Sequence, residues 1–243
     1  MKHFSAFDCH KNHQEFVELP FTTFQNLFMQ KQSYYRGPQD AKKVEAWSTA
    51  LRENSFHWNA FDVEHSAILI IDMQNYFLDP SSHAFVESGR AILPNILDLV
   101  GHFRGHGRPV IFTYFAVQEG EDDPILRWWG ESVPDGSAES LLTSELVPQE
   151  GELLLRKSSY SSFQGTELEE YLRKKEVQSL VVTGVLTNLC CETAAREAFC
   201  LGFDVFVPAD ALATYTEEMH LLSLQNLSYG FATPLCTSDM LGA

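Results

Sequence analysis

Three side chains with reactive chemistry stand where buried segments of the chain end. Asp72 follows an apolar run, Lys157 follows the mostly apolar residues 153–156, and Cys190 follows a third apolar run after a short polar turn. A carboxylate can accept and return a proton, an ammonium group can stabilise negative charge, and a thiol can attack a carbonyl carbon. Together these residue types predict nucleophilic acyl chemistry if the fold brings them into one cleft.

Each of these residues also has an ordinary structural interpretation. An aspartate after a strand is common in turns, a lysine in a turn is usually solvated, and a free cysteine is usually a small buried hydrophobic residue. Cys190 follows Thr187 and Asn188, either of which could cap a helix. A thiol in a first helical turn is shifted toward thiolate by the helix dipole, and a nearby Lys157 would add to that shift.

The other cysteines provide an internal comparison. Adjacent helical residues point about 100° apart, so only one of Cys190 and Cys191 can face a cleft. We expect Cys191 and Cys200 to be packing residues. The chain has five cysteines, an odd number, and their spacing matches neither a disulfide framework nor a zinc-binding C-x-x-C motif. This usage favours a reducing, cytoplasmic setting.

The order of elements predicts an α/β fold of three layers, α/β/α, around a six-stranded, Rossmann-like parallel sheet with an N-terminal helical extension. Apolar runs that are typical of strands buried on both faces alternate with helices. The predicted strands cover residues 66–72, 109–115, 152–156, 178–184, 203–207 and 231–236. The predicted helices between them cover residues 89–106, 165–175, 189–201 and 217–229. Ligands bind at the carboxyl ends of such strands, where Asp72, Lys157 and Cys190 stand.

The composition of the chain changes near residue 60. Residues 1–60 are rich in Phe, Gln, His and Asn, and we predict helices around residues 16–28 and over residues 41–54. We interpret residues 1–60 as a helical extension or arm that packs on the main domain or on a neighbouring subunit. Residues 61–243 form the predicted main domain.

The charge and hydropathy exclude several classes of function. With 17 basic and 33 acidic residues, the formal net charge is −16, which argues against a nucleic-acid partner. We find no apolar run of 18 residues and no basic segment followed by an apolar core, so we expect neither a membrane span nor a secretion signal. With 243 residues and 44% hydrophobic content, the chain can bury a sizeable core.

Several segments resemble the isochorismatase-like cysteine hydrolase family. They are residues 67–77, 155–163, 182–195, 208–213 and 218–224. The resemblance covers about residues 66–236 and implies the isochorismatase-like hydrolase fold, with a catalytic triad of Asp72, Lys157 and Cys190. It also implies a small-molecule substrate and a homo-oligomer, commonly a dimer or a tetramer.

The resemblance further implies a non-proline cis peptide bond between Val185 and Leu186. In that arrangement the backbone N–H groups of Leu186 and Cys190 would point at one position and form an oxyanion hole.

Two departures from the family pattern select a branch of it. Vinyl-ether-cleaving isochorismatases typically have glycine at the position of Cys190, and nicotinamidases carry an Asp-x-His metal site after the second strand. Residues 116–123, where that site would lie, contain no histidine. We therefore expect no metal and no cofactor. The favoured function is cleavage of a C–N bond in a small amide, ureido or carbamoyl compound through a thioester-type intermediate.

Two other functions remain open at the level of sequence. One is an isochorismatase-type hydrolase of an enol ether, with Asp72 as general acid and Cys190 as a bystander. The other is a catalytically silent relative that acts as a binding protein.

Substrate specificity is expected in the irregular residues 116–150 and their flanks. The predicted substrate-binding residues are Gln74, Phe77, Trp128, Trp129, Tyr160 and Asn188. The rings of Phe77, Trp128 and Trp129 would form apolar walls, and the other three side chains would supply polar contacts. The two tryptophans could instead anchor the loop or lie at a subunit interface.

Overall fold

The computed structural model describes residues 30–53, 55 and 58–242. In this part of the chain seven strands form one parallel sheet. The strands are β1 (Ser66–Ile71), β2 (Val110–Phe115), β3 (Leu153–Lys157), β4 (Ser179–Val185), β5 (Asp204–Pro208), β6 (Leu212–Ala213) and β7 (Thr233–Leu235). Six of them lie in the order β3-β2-β1-β4-β5-β7, and β6 pairs with the end of β4.

Helices flank the sheet on both faces. The α-helices within the described ranges are α1 (Ala41–Glu53), α2 (Asn75–Leu78), α3 (Leu93–Gly105), α4 (Pro124–Trp129), α5 (Leu168–Lys174), α6 (Glu192–Cys200), α7 (Glu217–Gly230) and α8 (Thr237–Leu241). Short 3₁₀ turns cover Pro38–Asp40, Val63–His65 and Ala209–Ala211, and a π-helical turn covers Thr187–Cys191. None of the helices in these ranges is both long and apolar enough to span a bilayer.

The side chains of β1 divide the core into two layers. Ile68 and Ile70 join one buried cluster, which includes residues of α3 and α8. Leu69 and Ile71 join the other, which includes residues of α5 and α6. This division follows from the alternation of side chains along a strand, and all four residues are fully buried. The predicted three-layer fold is therefore confirmed.

The six predicted strands correspond to the six strands of the main path, with ends that differ by one or two residues. Strand β6 was not predicted, because two residues are too few to produce a hydropathy pattern. The predicted helix over residues 89–106 begins only at Leu93, because residues 89–92 form turns. Pro94 then lies in the first helical turn, where proline is tolerated.

Helix α4 lies within the stretch that the sequence predicted to be irregular. The side chain of Asp123 caps its N-terminus by accepting a hydrogen bond from the Leu126 N–H at 2.8 Å, and Pro124 follows. Gly130 ends the helix in the left-handed conformation, with φ 76°. These are ordinary start and stop signals for a helix, so the sequence did carry the information.

Residues 30–53 pack into the core of the sheet domain. Tyr34, Tyr35 and Trp47 belong to the cluster of the first layer, and Leu51 belongs to that of the second. Helix α1 matches the helix predicted over residues 41–54 to within one residue. The helix predicted around residues 16–28 lies outside the described residues.

Candidate active site

A buried ion pair lies at the carboxyl end of the sheet, with a cysteine sulfur against it. Lys157, at the end of β3, places its Nζ 2.7 Å from Oδ2 of Asp72, which directly follows β1. The same Nζ donates to Sγ of Cys190 at 3.3 Å and to the carbonyl oxygen of Ser159 at 2.9 Å. Asp72, Lys157 and Cys190 are all buried. The structure therefore brings together the three residues singled out in the sequence.

Asp72 is held by its backbone and by strand β2. Its φ of 51° lies in the left-handed region, which residues other than glycine rarely adopt. Its N–H donates to the carbonyl oxygen of Thr113, and the Thr113 hydroxyl donates to Oδ1 at 2.8 Å. Oδ1 thus accepts a hydrogen bond and Oδ2 lies in the ion pair with Lys157, which offsets the cost of burying the charge.

The close approach of β1 and β4 requires a glycine. Gly184 pairs with Ile71, the residue before Asp72, and has φ 107°. A Cβ at this position would lie 2.1 Å from the carbonyl oxygen of Ile71, well inside van der Waals contact. The absence of a side chain at position 184 thus allows the end of β4, and the turn that follows it, to lie beside Asp72.

Cys190 lies in the π-helical turn between β4 and α6. Such turns are rare and occur frequently at functional sites. The peptide bond between Val185 and Leu186, at the start of this segment, is cis. Both cysteines belong to the second core layer, but only Cys190 also borders a pocket, and the Cys191 sulfur lies 3.9 Å from the carbonyl oxygen of Thr183. The two adjacent cysteines therefore have different surroundings.

Two predictions, a helix cap by Thr187 or Asn188 and a packing role for Cys200, were wrong. Neither Thr187 nor Asn188 caps the helix, because their side chains bond to other elements: Thr187 pairs with Nδ1 of His220 at 2.9 Å, and Asn188 accepts from the Thr214 hydroxyl at 2.6 Å. Cys200 is exposed and is not a packing residue, since it lies at the solvent-facing end of α6.

The pKa of Cys190 is shifted in the opposite direction to the one expected from a helix dipole and a nearby lysine. Burial raises the pKa of Cys190 to about 12; Lys157 opposes this effect, and the Asp72 carboxylate adds to it. Burial also disfavours the charged form of Lys157, but Asp72 and Cys190 outweigh it and hold the pKa of Lys157 above its ordinary value. Burial and Asp72 thus favour the neutral thiol, whereas Lys157 favours the thiolate.

The pocket beside Cys190 is predominantly apolar and aromatic. It encloses about 600 Å³, including its open mouth. Its lining residues are Tyr76, Phe77, His83, Ala84, Phe115, Ile125, Trp129, Ser159, Tyr160, Leu186, Leu189, Cys190 and Tyr215. The described residues on this lining include no arginine or lysine.

The six residues predicted to bind substrate divide into two groups. Phe77, Trp129 and Tyr160 line the pocket, and Nε1 of Trp129 donates to the Tyr160 hydroxyl at 2.5 Å. The structure does not bring Gln74, Asn188 and Trp128 to this lining.

Each residue of the second group has a physical reason to lie elsewhere. The Gln74 amide is occupied by the backbone N–H and carbonyl of Phe115 and by the Ser140 carbonyl, so it fastens the long loop to the sheet. Asn188 bonds to Thr214. Trp128 points to solvent and is 75% exposed.

Sequence reasoning missed several pocket residues. Phe115 could have been found, because it ends a predicted strand at the edge where ligands bind. Tyr215 comes from the segment after β6, a strand that the sequence did not predict, and no sequence signal placed its ring beside Cys190.

Within the described ranges, no group of three or more His, Cys, Asp or Glu side chains is arranged to hold a metal ion. The ring of His83, which lines the pocket, is 2.7 Å from the Glu131 carboxylate and 3.2 Å from the Tyr76 hydroxyl. This histidine is therefore held by protein groups.

Comparison with known proteins settles the family. The model of the isochorismatase domain matches residues 66–239. The chain belongs to the isochorismatase family. Nicotinamidase 3 of Arabidopsis thaliana is 42% identical over 171 residues, which are 69% of this chain and 82% of that protein. An isochorismatase of Bacillus subtilis is 31% identical over 191 residues, which are 78% of this chain but 61% of that protein.

The solved structures that are similar to this chain include an N-carbamoylsarcosine amidase from Thermoplasma acidophilum. It is 25% identical to this chain and superimposes with a TM-score of 0.64, over 71% of this chain and 96% of that one. The residues that the family match covers contain Asp72, Lys157 and Cys190, but not residues 30–53.

Proposed function

We propose that the protein is a metal-independent amidohydrolase in which Asp72, Lys157 and Cys190 form the catalytic triad. The observation that carries this proposal is the contact of a pocket-facing sulfur with a fully buried ion pair. A buried ion pair contributes little net stability, so its retention beside a thiol is explained better by chemistry than by packing.

The first half of the reaction forms a thioester. The thiol proton of Cys190 passes to the Asp72 carboxylate as Sγ attacks the carbonyl carbon of the substrate, and the carbonyl oxygen becomes an oxyanion. In this mechanism the oxyanion accepts hydrogen bonds from the backbone N–H groups of Leu186 and Cys190, two residues of the pocket lining. The C–N bond then breaks, and Asp72 returns the proton to the leaving nitrogen.

The second half of the reaction consumes water. Asp72 accepts a proton from a water molecule, whose oxygen attacks the thioester carbon. The C–S bond breaks, the acid product leaves, and the proton held by Asp72 returns to the sulfur. The sum of the steps is amide plus water giving acid plus amine or ammonia, and Lys157 remains protonated throughout.

The pocket lining favours a small, uncharged, planar substrate. Phe77, Phe115 and Trp129 provide apolar and aromatic surfaces. The Tyr160 oxygen accepts the Trp129 N–H, which leaves the Tyr160 hydroxyl hydrogen for a bound carbonyl or ring nitrogen. The names of the Arabidopsis nicotinamidase and the Thermoplasma amidase support an amide-type substrate.

The alternative reaction, hydrolysis of an enol ether, is supported by the likeness to the Bacillus isochorismatase. A substrate such as isochorismate carries two carboxylates, and the described residues of this pocket lining offer no lysine or arginine side chain to balance them. The lining therefore favours the amide.

A matched pair of cysteine variants tests the proposal. Ammonia release is measured for the wild type, Cys190→Ala and Cys191→Ala from the uncharged nicotinamide and benzamide and, for comparison, from N-carbamoylsarcosine, which carries one carboxylate. We expect Cys190→Ala to lose activity by at least about 10³-fold and Cys191→Ala to retain it. A Cys190→Ala enzyme that works at the wild-type rate would eliminate the mechanism.

The covalent intermediate has its own signature. Rapid acidification of the wild type during turnover, followed by mass spectrometry, should reveal an added acyl group on the peptide that contains Cys190. Hydrolysis of an enol ether with no acyl adduct would instead identify the alternative reaction, and the absence of turnover on any substrate would favour a binding protein.

A further inference from the structure

A network of buried polar groups lies behind the π-helical turn that carries Cys190. Nε2 of His220 is 3.1 Å from the carbonyl oxygen of Ala209, which can only accept, so Nε2 carries the hydrogen. Nδ1 then accepts from the hydroxyl of Thr187, the first residue of the turn, at 2.9 Å. His220 is fully buried, and this assignment satisfies both ring nitrogens.

A second connection reaches the same turn from a different direction. The Thr214 hydroxyl donates to Oδ1 of Asn188 at 2.6 Å. Asn188 lies in the turn, two residues before Cys190. The backbone N–H of Thr214 donates to the hydroxyl oxygen of Tyr34 at 3.0 Å. Tyr34 thus lies two hydrogen bonds away from the turn of the nucleophile.

The aromatic rings of residues 30–53 also surround His220. Its ring centroid is 5.4 Å from that of Tyr34 and 5.3 Å from that of Trp47. The backbone N–H of Tyr34 donates to Oγ of Ser88, which ties the segment to the loop that carries His83 and Ala84 of the pocket. In each of these contacts one partner, Tyr34 or Trp47, precedes the matched family domain.

We propose that Tyr34 is a positioning residue for Cys190, acting through Thr214 and Asn188 and through the packing of its ring on His220. The inference rests on the proposed role of Cys190 as nucleophile. It assigns to residues 30–53 a part in catalysis that the family match does not contain. Two of the five residues of the π-helical turn, Thr187 and Asn188, are held by this network, so the direction of the thiol depends on it.

The neighbouring tyrosine provides a matched control. Tyr35 is buried in the same segment and also packs on Trp47, but its hydroxyl accepts from Asn95 of α3 rather than from a residue bonded to the turn. Tyr34→Phe and Tyr35→Phe each remove one buried hydroxyl and keep the ring. A purely structural role would give both variants the same consequences.

The experiment measures kcat, KM, the rate of iodoacetamide alkylation of Cys190 and the melting temperature for both full-length variants. Because a displacement of about 1 Å can cost about 100-fold in rate, we expect Tyr34→Phe to lower kcat about tenfold with little change in KM. Its alkylation rate should change at least about threefold relative to wild type. Tyr35→Phe should keep wild-type kcat and alkylation rate.

Equal kcat and equal alkylation rates in the two tyrosine variants would overturn the inference. If Tyr34→Phe does not fold, Thr214→Val removes the hydroxyl bonded to Asn188 and carries the same expectations. Failure of the proposed function would look different: Cys190→Ala would remain active. The alkylation rates would then still report whether Tyr34 controls the placement of the sulfur.

Discussion

Lys157 is buried, and its ammonium group contacts three protein groups. It forms an ion pair with the Asp72 carboxylate and donates hydrogen bonds to the Ser159 carbonyl oxygen and the Cys190 sulfur. Lys157 does not belong to the pocket lining. In the proposed mechanism it pairs with the Asp72 carboxylate and faces the charge that develops on the sulfur.

Removal of this cation should damage both stability and activity. Lys157→Met leaves the Asp72 carboxylate buried without an opposite charge, which typically costs about 3–5 kcal/mol. We expect that loss in the free energy of unfolding in urea, together with a fall in kcat of at least about 100-fold. The exposed Lys174→Met is the control and should change neither value. Equal stability of the two variants would contradict the burial of an ion pair.

His220 makes the stability of the fold depend on acid. Burial lowers the pKa of His220 to about 3, while the unfolded chain has its ordinary value of 6.5. The unfolded state therefore binds a proton that the folded state does not, so stability is complete above pH 6.5 and falls as the pH drops toward 3. Between pH 6.5 and pH 4 this histidine should remove about 3 kcal/mol.

Urea unfolding at pH 7 and pH 4 tests this dependence. His220→Gln should show a smaller loss between the two pH values than the wild type, because it lacks the titrating ring. His106→Gln, which removes an exposed histidine, should behave as the wild type. A wild-type pH dependence in His220→Gln would show that other groups cause it.

At the residue scale, the sequence predicts the positions of the reactive side chains better than it predicts their pKa shifts. The strand-end rule located Asp72, Lys157 and Cys190 because it depends only on where apolar runs stop. The raised pKa of the thiol depends on burial and on Asp72, which are properties of the assembled site. The hydrogen bonds of the Gln74 amide were unpredictable for the same reason, since its partners lie 41 and 66 residues away in the chain.

At the scale of elements, the junction of β1 and β4 sets the geometry of the site. Strand β1 ends directly before Asp72, and a single residue separates the end of β4 from the π-helical turn that contains Cys190. The two strands are hydrogen-bonded neighbours along Ser66–Ile71, with Gly184 opposite Ile71. Any change that separates their ends also separates the acid from the sulfur.

A single methyl group at this junction should therefore be costly. Gly184→Ala would place a Cβ against the Ile71 carbonyl oxygen and also strain a backbone with positive φ. We expect a loss of at least about 2–3 kcal/mol in the free energy of unfolding, with most of the activity lost.

Gly101→Ala is the matched control for this substitution. It lies in α3, and a Cβ there meets no other atom within 4 Å, so it should stabilise the protein by up to about 1 kcal/mol. Thermal and urea unfolding of the two variants compare them directly. A Gly184→Ala protein as stable as the wild type would disprove the close approach.

The elements themselves were largely predictable. Long buried strands such as β1 and β4 produce continuous apolar runs, and α7 begins after Thr216, whose hydroxyl caps it. The π-helical turn was not predictable, because its extra residue leaves no mark in hydropathy. Helix α4 was missed although its cap and its terminal glycine are present in the sequence.

At the scale of the whole molecule, residues 30–53 are part of the core of the sheet domain. Trp47 and Leu51 of α1 are almost fully buried, and Glu217 of α7 bonds both to Trp47 and to Lys43. The change of composition near residue 60 therefore does not mark the edge of the core, because residues 30–53 pack into it. The homo-oligomeric state stays a prediction, to be measured by light scattering.

A chain shortened to residues 61–243 should be unstable. It would expose the surfaces on α7 and in both core layers that α1 now covers, at a cost of about 1.5–3 kcal/mol for each large apolar contact that is lost. Circular dichroism during heating should show a melting temperature far below that of the full chain. Equal melting of the two chains would show that the extension is dispensable for folding.

The absence of lysine and arginine from the described pocket lining bears on how a reaction there would finish. Hydrolysis converts an uncharged amide substrate into a carboxylate anion at neutral pH. That anion would lie against aromatic rings in a protein whose formal charge is −16, and the nearby ammonium group of Lys157 is already paired with Asp72. Departure of the acid is thus favoured over its retention, so the enzyme should resist inhibition by its own accumulated product.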